Sequence, residues 1–391
     1  MADLLLRRAG RVFGVELDQP ACIVVRDGHV VAHVRETDLT SATLEDLGLS
    51  AGSAPELDAA GRAVIPGFVD AHTHLVFAGD RADEFAARLA GEPYEAGGIL
   101  RTVAATRSAT KDDLVDGILR RAAQCLAGGT TTIEVKSGYG LETETELRSL
   151  QAIAAARLST PADLVPTFLG AHLDPEPGYI DMLVEEMLPA CAPLAESCDA
   201  FCDVGALSVE SSRRVLEAGL AHGLTPRIHA EELANTGGGL LAAEIGCASA
   251  DHLIHASPQD AEALASAGVV AVLLPATSFC LRSTYAPARL FLDAGCTIAL
   301  GTDCNPGTSY TTSMSFVIAV ACSELGLSAD EAVRAATRGG AAALRRSDVG
   351  HLGPGALADI VVLGGDHWVD IAYHPGMDTI ANVVKSGAVV R

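Results

Sequence analysis

Pro66-Gly67-Phe68-Val69-Asp70-Ala71-His72-Thr73-His74 continues an apolar, β-branched start at Ala63-Val64-Ile65 and sets two imidazoles one residue apart where that run ends. Read as a strand, the run sends His72 and His74 to one face and turns Thr73 to the other, because alternate strand residues share a face. Two histidines in that relation form a clip for one cation. Alone, such a pair is as often incidental, so its meaning depends on what the rest of the chain brings to the same place.

Seven further apolar runs follow, at 130–135, 164–170, 200–205, 225–229, 250–254, 269–275 and 297–301, making eight with 63–71. Most are separated by segments of helical periodicity, among them 111–127, 142–158, 208–221 and 258–267, often closed by glycine. Strand and helix alternating eight times predict an α/β fold built as a parallel (β/α)8 TIM barrel rather than an open sheet. Residues 1–64 lack this rhythm and show short strands with turns such as Arg26-Asp27-Gly28-His29. The tail carries Asp359-Ile360-Val361-Val362-Leu363 and a second β-branched run at 383–390. Two strand-rich ends around a barrel are expected to pair as one small discontinuous β domain, 1–64 with 346–391, flanking a catalytic barrel at 65–345.

The 391 residues carry a formal charge of −23, which argues against a nucleic-acid or anionic-membrane partner, since phosphate binding needs clustered Lys and Arg. No apolar run approaches the roughly 20 residues that span a bilayer. The N-terminus has its arginines after three leucines, the wrong order for a signal peptide, so a cytoplasmic location is expected. Ten cysteines occur without a Cys-x-x-C pair, which excludes a zinc ribbon and predicts mostly reduced, buried thiols. These features leave homodimer formation open.

In a barrel of this kind the active site lies beyond the C-terminal strand ends, and polar residues gather there. His72 and His74 follow the first run, Lys136 and Tyr139 the second and His172 the third, while Asp203 ends the fourth. His229 and Glu232 follow the fifth, His252 lies in the sixth, Thr277 follows the seventh, and Asp303 with Asn305 follows the eighth. Any one histidine is more often a hydrogen-bonded core residue; five at matching strand ends are not explained that way. His72, His74, His229 and Asp303 offer three imidazoles and a carboxylate, a set suited to one Zn²⁺ or Fe ion that lowers the pKa of water from about 15.7 toward 7. Asp303 is placed to accept the nucleophile's proton, His252 to polarise a carbonyl or handle a proton, and Glu232 to protonate a leaving nitrogen.

Five blocks carry a resemblance: His72-Thr73-His74-Leu75-Val76-Phe77, Lys136-Ser137-Gly138-Tyr139-Gly140-Leu141, Thr167-Phe168-Leu169-Gly170-Ala171-His172, His229-Ala230-Glu231-Glu232, and Thr302-Asp303-Cys304-Asn305-Pro306-Gly307-Thr308-Ser309. Over nearly the whole chain they resemble the metal-dependent amidohydrolase superfamily, and within it the branch that opens the imidazolone ring in histidine degradation. The resemblance implies a (β/α)8 barrel with a small β-sandwich built from both termini, and one Zn²⁺ or Fe ion held by His72, His74, His229 and Asp303. It implies hydrolysis of a small molecule, 4-imidazolone-5-propanoate, to N-formimidoyl-L-glutamate. Arg81, Tyr94, Tyr139 and His172 are implied to hold the substrate, chiefly its propionate, for which a planar guanidinium is an apt partner. Glu232, Asn305, Gly307 and Thr308 are implied to contact the ring or the opened product, with His252 assisting attack. The segment Tyr94-Glu95-Ala96-Gly97-Gly98-Ile99 is shorter than its counterpart in the family. Some relatives hold two metals through a carboxylated lysine; the branch resembled here implies one metal and a non-ligand Lys136. Another cyclic amidohydrolase or deaminase activity is the alternative on this scaffold, and an inactive barrel acting in assembly a more remote one.

Overall fold

Eight parallel strands, each hydrogen-bonded to the next in chain order, wrap into the central barrel: Phe68–Asp70, Thr130–Lys136, Asp163–Ala171, Ser197–Cys202, Thr225–Ala230, Ser249–His252, Val270–Leu273 and Ile298–Leu300. The computed structural model describes residues 2–16, 20–49, 52, 54–91 and 98–391. These strands are buried along nearly their whole length, as continuous apolar runs covered by helices on one side and filled from within on the other require. The first and last strands meet beyond their C-terminal ends. Thr73 bridges Cys304, the Asp303 amide donates to the His72 carbonyl at 2.9 Å, and the His74 amide donates to the Cys304 carbonyl at 3.1 Å. Below that closure the Thr302 hydroxyl donates to Asp70 Oδ2 at 2.6 Å. The closing seam of the barrel is therefore also the place where His72, His74 and Asp303 stand.

Helices Lys111–Ala127 and Pro258–Ala267 keep their expected limits because each starts on a capping box, Thr110 with Asp113 and Ser257 with Asp260. Thr143–Arg157 and Val209–Ala221 differ from expectation only at their ends.

The run at 63–71 is not one strand. Ala63–Pro66 lies in a different sheet, antiparallel to Ile360–Leu363 and parallel to Arg11–Val12, and only Phe68–Asp70 enters the barrel. The break falls at Pro66-Gly67, where Pro66 has no amide hydrogen to donate. A Cβ on Gly67 would stand 2.3 Å from the Thr131 hydroxyl, so only glycine lets the chain pass this close to the second barrel strand. The run at 269–275 also stops early, at Leu273, because Pro275 opens the short helix Pro275–Leu281.

The chain ends build two sheets. One orders His29–Arg35, Ala21–Arg26, Leu4–Ala9 and Glu56–Asp58; the other orders Ala388–Val389, Ile380–Lys385, Ile360–Leu363, Ala63–Pro66 and Arg11–Val12. Leu6, Ile23, Val25, Val64, Ile360 and Val384 fill the space between them. Burying each such side chain contributes roughly 1.5–3 kcal/mol, which is what binds the N-terminal strands to the C-terminal ones. Eight of the ten cysteines are buried and all are free thiols. No described helix is long and apolar enough to cross a membrane.

Candidate active site

Asp303 Oδ1 lies 3.5 Å from His72 Nε2 and 3.4 Å from His74 Nε2, at the seam where the barrel closes. Its second oxygen accepts a 2.6 Å hydrogen bond from Thr277, which the early start of the Pro275–Leu281 helix brings into reach. His229 comes from the fifth strand with its ring centroid 4.5 Å from that of His72, and His252 ends the sixth strand 5.3 Å from His229. His172 stacks on His74 at 5.3 Å. Thr73 points away from this group, donating its amide to Glu134. Asp303, His252 and Glu231 all carry positive φ, a strained backbone that packing holds at the site.

The ligand atoms fall into two sets, each mutually within 4.8 Å: His72, His74 and Asp303, and His72, His229 and His252. His72 belongs to both, so His252 stands as near the centre as the expected ligand His229. His72 Nε2, His74 Nδ1, both ring nitrogens of His229 and His252 Nδ1 are buried without a hydrogen-bond partner among the described residues. Buried polar nitrogens of this kind are rarely left unpaired, and a cluster of them beside the Asp303 carboxylate fits a single cation.

Electrostatics agree with that fit. Burial holds His72 and His74 below the ordinary histidine range, which leaves their lone pairs available, and brings His252 down to about 3. Burial also lowers His229, but the Asp199 carboxylate outweighs it and leaves this imidazole the more basic donor. Asp303 would be raised by burial, yet His74 and His252 hold it well below the usual carboxylate range and therefore ionised. Glu232 is pushed up to about 8 by burial and by the charge of Asp303, so it carries a proton at neutral pH. Its carboxyl lies 3.7 Å from His252 Nε2.

One cavity is lined by His74, Arg81, Tyr139, His172, Glu232, His252, Asp303, Asn305 and Thr308, with Phe201 and Leu173 as apolar wall. Gly307 does not line it but backs Arg81: a Cβ there would stand 2.0 Å from Arg81 Nη1. Asn305 orders this loop, its Oδ1 accepting from the amides of Gly307 and Thr308 at 2.8 Å each. Arg81 meets Glu84 through two hydrogen bonds of 2.7 and 2.6 Å. Tyr94 lies outside the described residues.

A sequence model of the amidohydrolase family matches residues 177–390. The imidazolonepropionase of Mycolicibacterium smegmatis is 50% identical over 376 residues, covering 95% of this chain and 91% of the relative. That of Haloarcula marismortui is 48% identical over 388 residues, covering 96% and 91%. The chain belongs to the imidazolonepropionase family. In fold it is also similar to the 5-methylcytosine deaminase of Klebsiella pneumoniae, with TM-score 0.78, 16% identity and coverage of 99% and 98%. A zinc complex of atrazine chlorohydrolase from Arthrobacter aurescens gives TM-score 0.75 at 21% identity, covering 99% and 95%.

As an imidazolonepropionase the chain is a metal-dependent hydrolase, and its site contains residues that strand-end reading passed over. Glu134, Asp199, Arg227 and Asp251 are fully buried behind the histidines. Their signal was a charge inside each of four buried barrel strands. Glu146 holds the loop that carries Tyr139, accepting from the amides of Gly138 at 2.8 Å and Gly140 at 2.6 Å. Asp203, read as a strand-end polar residue, is spent on backbone amides of the Glu232 turn.

Proposed function

We propose that this chain adds water across the ring amide of 4-imidazolone-5-propanoate, giving N-formimidoyl-L-glutamate. Oxygen joins the carbonyl carbon, the C–N bond breaks, and the departing nitrogen takes a proton. One observation carries the reading within the family: an ionised Asp303, a neutral His252 and a protonated Glu232 line one cavity with the guanidinium-bearing Arg81.

His72, His74, His229 and Asp303 would hold one Zn²⁺ or Fe ion. When bound, such an ion supplies Lewis acidity, lowering the pKa of water beside it from about 15.7 toward 7. Asp303 takes the proton of the attacking water. Its Oδ2 accepts a hydrogen bond from Thr277, which fixes the carboxylate with Oδ1 toward His72 and His74. His252 faces the carbonyl oxygen as charge develops on it. Glu232 delivers its proton to the leaving nitrogen, the task for which a carboxyl raised to about 8 is suited. Arg81, backed by Gly307, binds the propionate, Tyr139 and His172 complete its pocket, and Asn305 and Thr308 shape the wall against the ring.

We take 1–64 with 346–391 as the β-sandwich domain and 65–345 as the catalytic barrel. The enzyme is placed in the cytoplasm as a small-molecule hydrolase without nucleic-acid or membrane partners, in line with its charge of −23 and unpaired cysteines; sedimentation tests whether it forms a homodimer. The deciding experiment follows 4-imidazolone-5-propanoate and N-formimidoyl-L-glutamate by NMR with the purified, metal-loaded chain. Substrate decay no faster than the uncatalysed background would refute the assignment.

A further inference from the structure

The interior layer beneath the active site is charged where a barrel of this kind is ordinarily filled by Val, Ile and Leu. Lys136 from the second strand, Asp199 from the fourth and Asp251 from the sixth meet there, joined by Glu134 and Arg227, all with fully buried side chains. Lys136 Nζ donates to Asp199 Oδ2 at 2.6 Å and to Glu134 Oε1 at 2.8 Å, and lies 3.7 Å from Asp251 Oδ2. The same two aspartate oxygens face the histidines. Asp251 Oδ2 is hydrogen-bonded to His72 Nδ1 at 2.6 Å, and Asp199 Oδ2 makes an ion-pair contact with His229 Nδ1 at 3.1 Å.

We propose that Lys136 is a positioning residue, whose ammonium ties Asp199 and Asp251 into one unit that makes His72 and His229 each present Nε2 to the metal. A carboxylate on Nδ1 fixes that nitrogen as the N–H donor and leaves the Nε2 lone pair for an ion. Two buried aspartates need a cation between them to hold this arrangement, and Lys136 is the group that touches both. Arg227 cannot replace it: Nη2 reaches Asp251 at 3.4 Å, but its two terminal nitrogens are committed to the carbonyls of Ala343 and Ala71. The inference rests on His72 and His229 being ligands, and is independent of which ring the enzyme opens.

The test compares Lys136→Gln and Asp251→Asn with the parent chain, loaded with Zn²⁺ for release to a chelator and with Co²⁺ for the visible ligand-field spectrum. Folding is checked by circular dichroism and melting. Both variants are expected to release Zn²⁺ about 10- to 100-fold faster and to show a shifted Co²⁺ band, the usual scale for losing a group that orients a metal ligand. Combining Lys136→Gln with Asp199→Asn should add less than the product of the single effects, because both act through one unit. A folded Lys136→Gln with parental release rate and spectrum overturns the proposal. Where Lys136→Gln does not fold, the isosteric Asp251→Asn decides by the same two readouts. A parent chain that takes up no Co²⁺ overturns the ligand assignment and this inference together.

Discussion

The carboxylate of Asp203 holds the backbone amide of Glu232 at 2.7 Å and those of Leu233 and Ala234 at 2.8 and 3.2 Å. A residue at the end of the fourth strand thus sets the turn that presents the proposed acid from the fifth. Asp203→Asn replaces one acceptor oxygen by a donor, so part of this set is lost whichever way the amide sits. Loss of hydrogen bonds to a charged group costs about 1.5–3 kcal/mol. The expected outcome is a lower Tm and a kcat reduced roughly 10- to 100-fold through misplacement of Glu232, with metal content unchanged. Metal analysis beside steady-state kinetics checks it; a variant with parental kcat would show that Glu232 does not depend on this clamp.

Arg81 supplies a second test. Arg81→Ala should leave the metal in place and raise KM for the propionate substrate by about 10- to 150-fold, the equivalent of about 1.5–3 kcal/mol for a charge-assisted contact. The Glu84 carboxylate already takes two hydrogen bonds from Arg81, which lines the cavity, and so restrains the guanidinium. Glu84→Gln should therefore raise KM in the same direction but by less. Unchanged KM in Arg81→Ala would move the carboxylate anchor elsewhere.

A third prediction concerns acid stability away from the site. Glu331 Oε1 pairs with Arg289 at 2.7 Å and Glu331 Oε2 accepts the Ser328 amide at 2.8 Å, which lowers the carboxyl from about 4.5 to about 2. The folded value lies below the unfolded one, so the stabilisation is fully present above about pH 4.5 and fades as pH falls toward about 2. Solvent screening weakens this partly exposed pair, and the capping box adds its own share, so Glu331→Gln should cost about 1 kcal/mol at pH 7. Urea unfolding at pH 7, 4 and 3 should show the gap from the parent narrowing with acid; a gap that widens would reverse the assignment.

Much of the barrel was legible in the chain because each of its signals is local. Eight apolar runs give the strands, and helical periodicity gives the helices at 111–127 and 258–267. The split at Pro66-Gly67 was not read, since hydropathy runs on unbroken from Ala63 to Val69 while the hydrogen bonds pass to a different sheet. The histidines and Asp303 stood out because imidazoles and a carboxylate after apolar runs have few structural reasons to be there. Asp199 and Asp251 did not, because their meaning lies in pairing with Lys136 across 63 residues and with His72 across 179. A lone charge in a strand names no partner until the barrel closes.

The last prediction separates metal binding from proton handling at two neighbouring residues. Asp303 stands 3.4 to 3.5 Å from the Nε2 atoms of His72 and His74, both proposed ligands, and is ionised, whereas His252 is neutral and also lies 3.7 Å from Glu232. Asp303→Asn replaces an anionic donor by a neutral amide, a poorer cation ligand and a negligible base, so metal affinity and kcat should fall together. His252→Ala should keep the metal and bind a product analogue with near-parental affinity, yet lose 10²-fold or more in kcat, the scale for removing an acid, base or oxyanion donor. The geometry makes this a demanding test, because His252 shares one 4.8 Å set of potential ligand atoms with His72 and His229. If a folded His252→Ala loses its metal, His252 is a ligand, and the four-residue set drawn from the sequence must be redrawn around it. If it keeps both metal and turnover, polarisation of the carbonyl passes to another side chain, and His172, stacked on His74 at 5.3 Å in the same cavity, is the next to substitute.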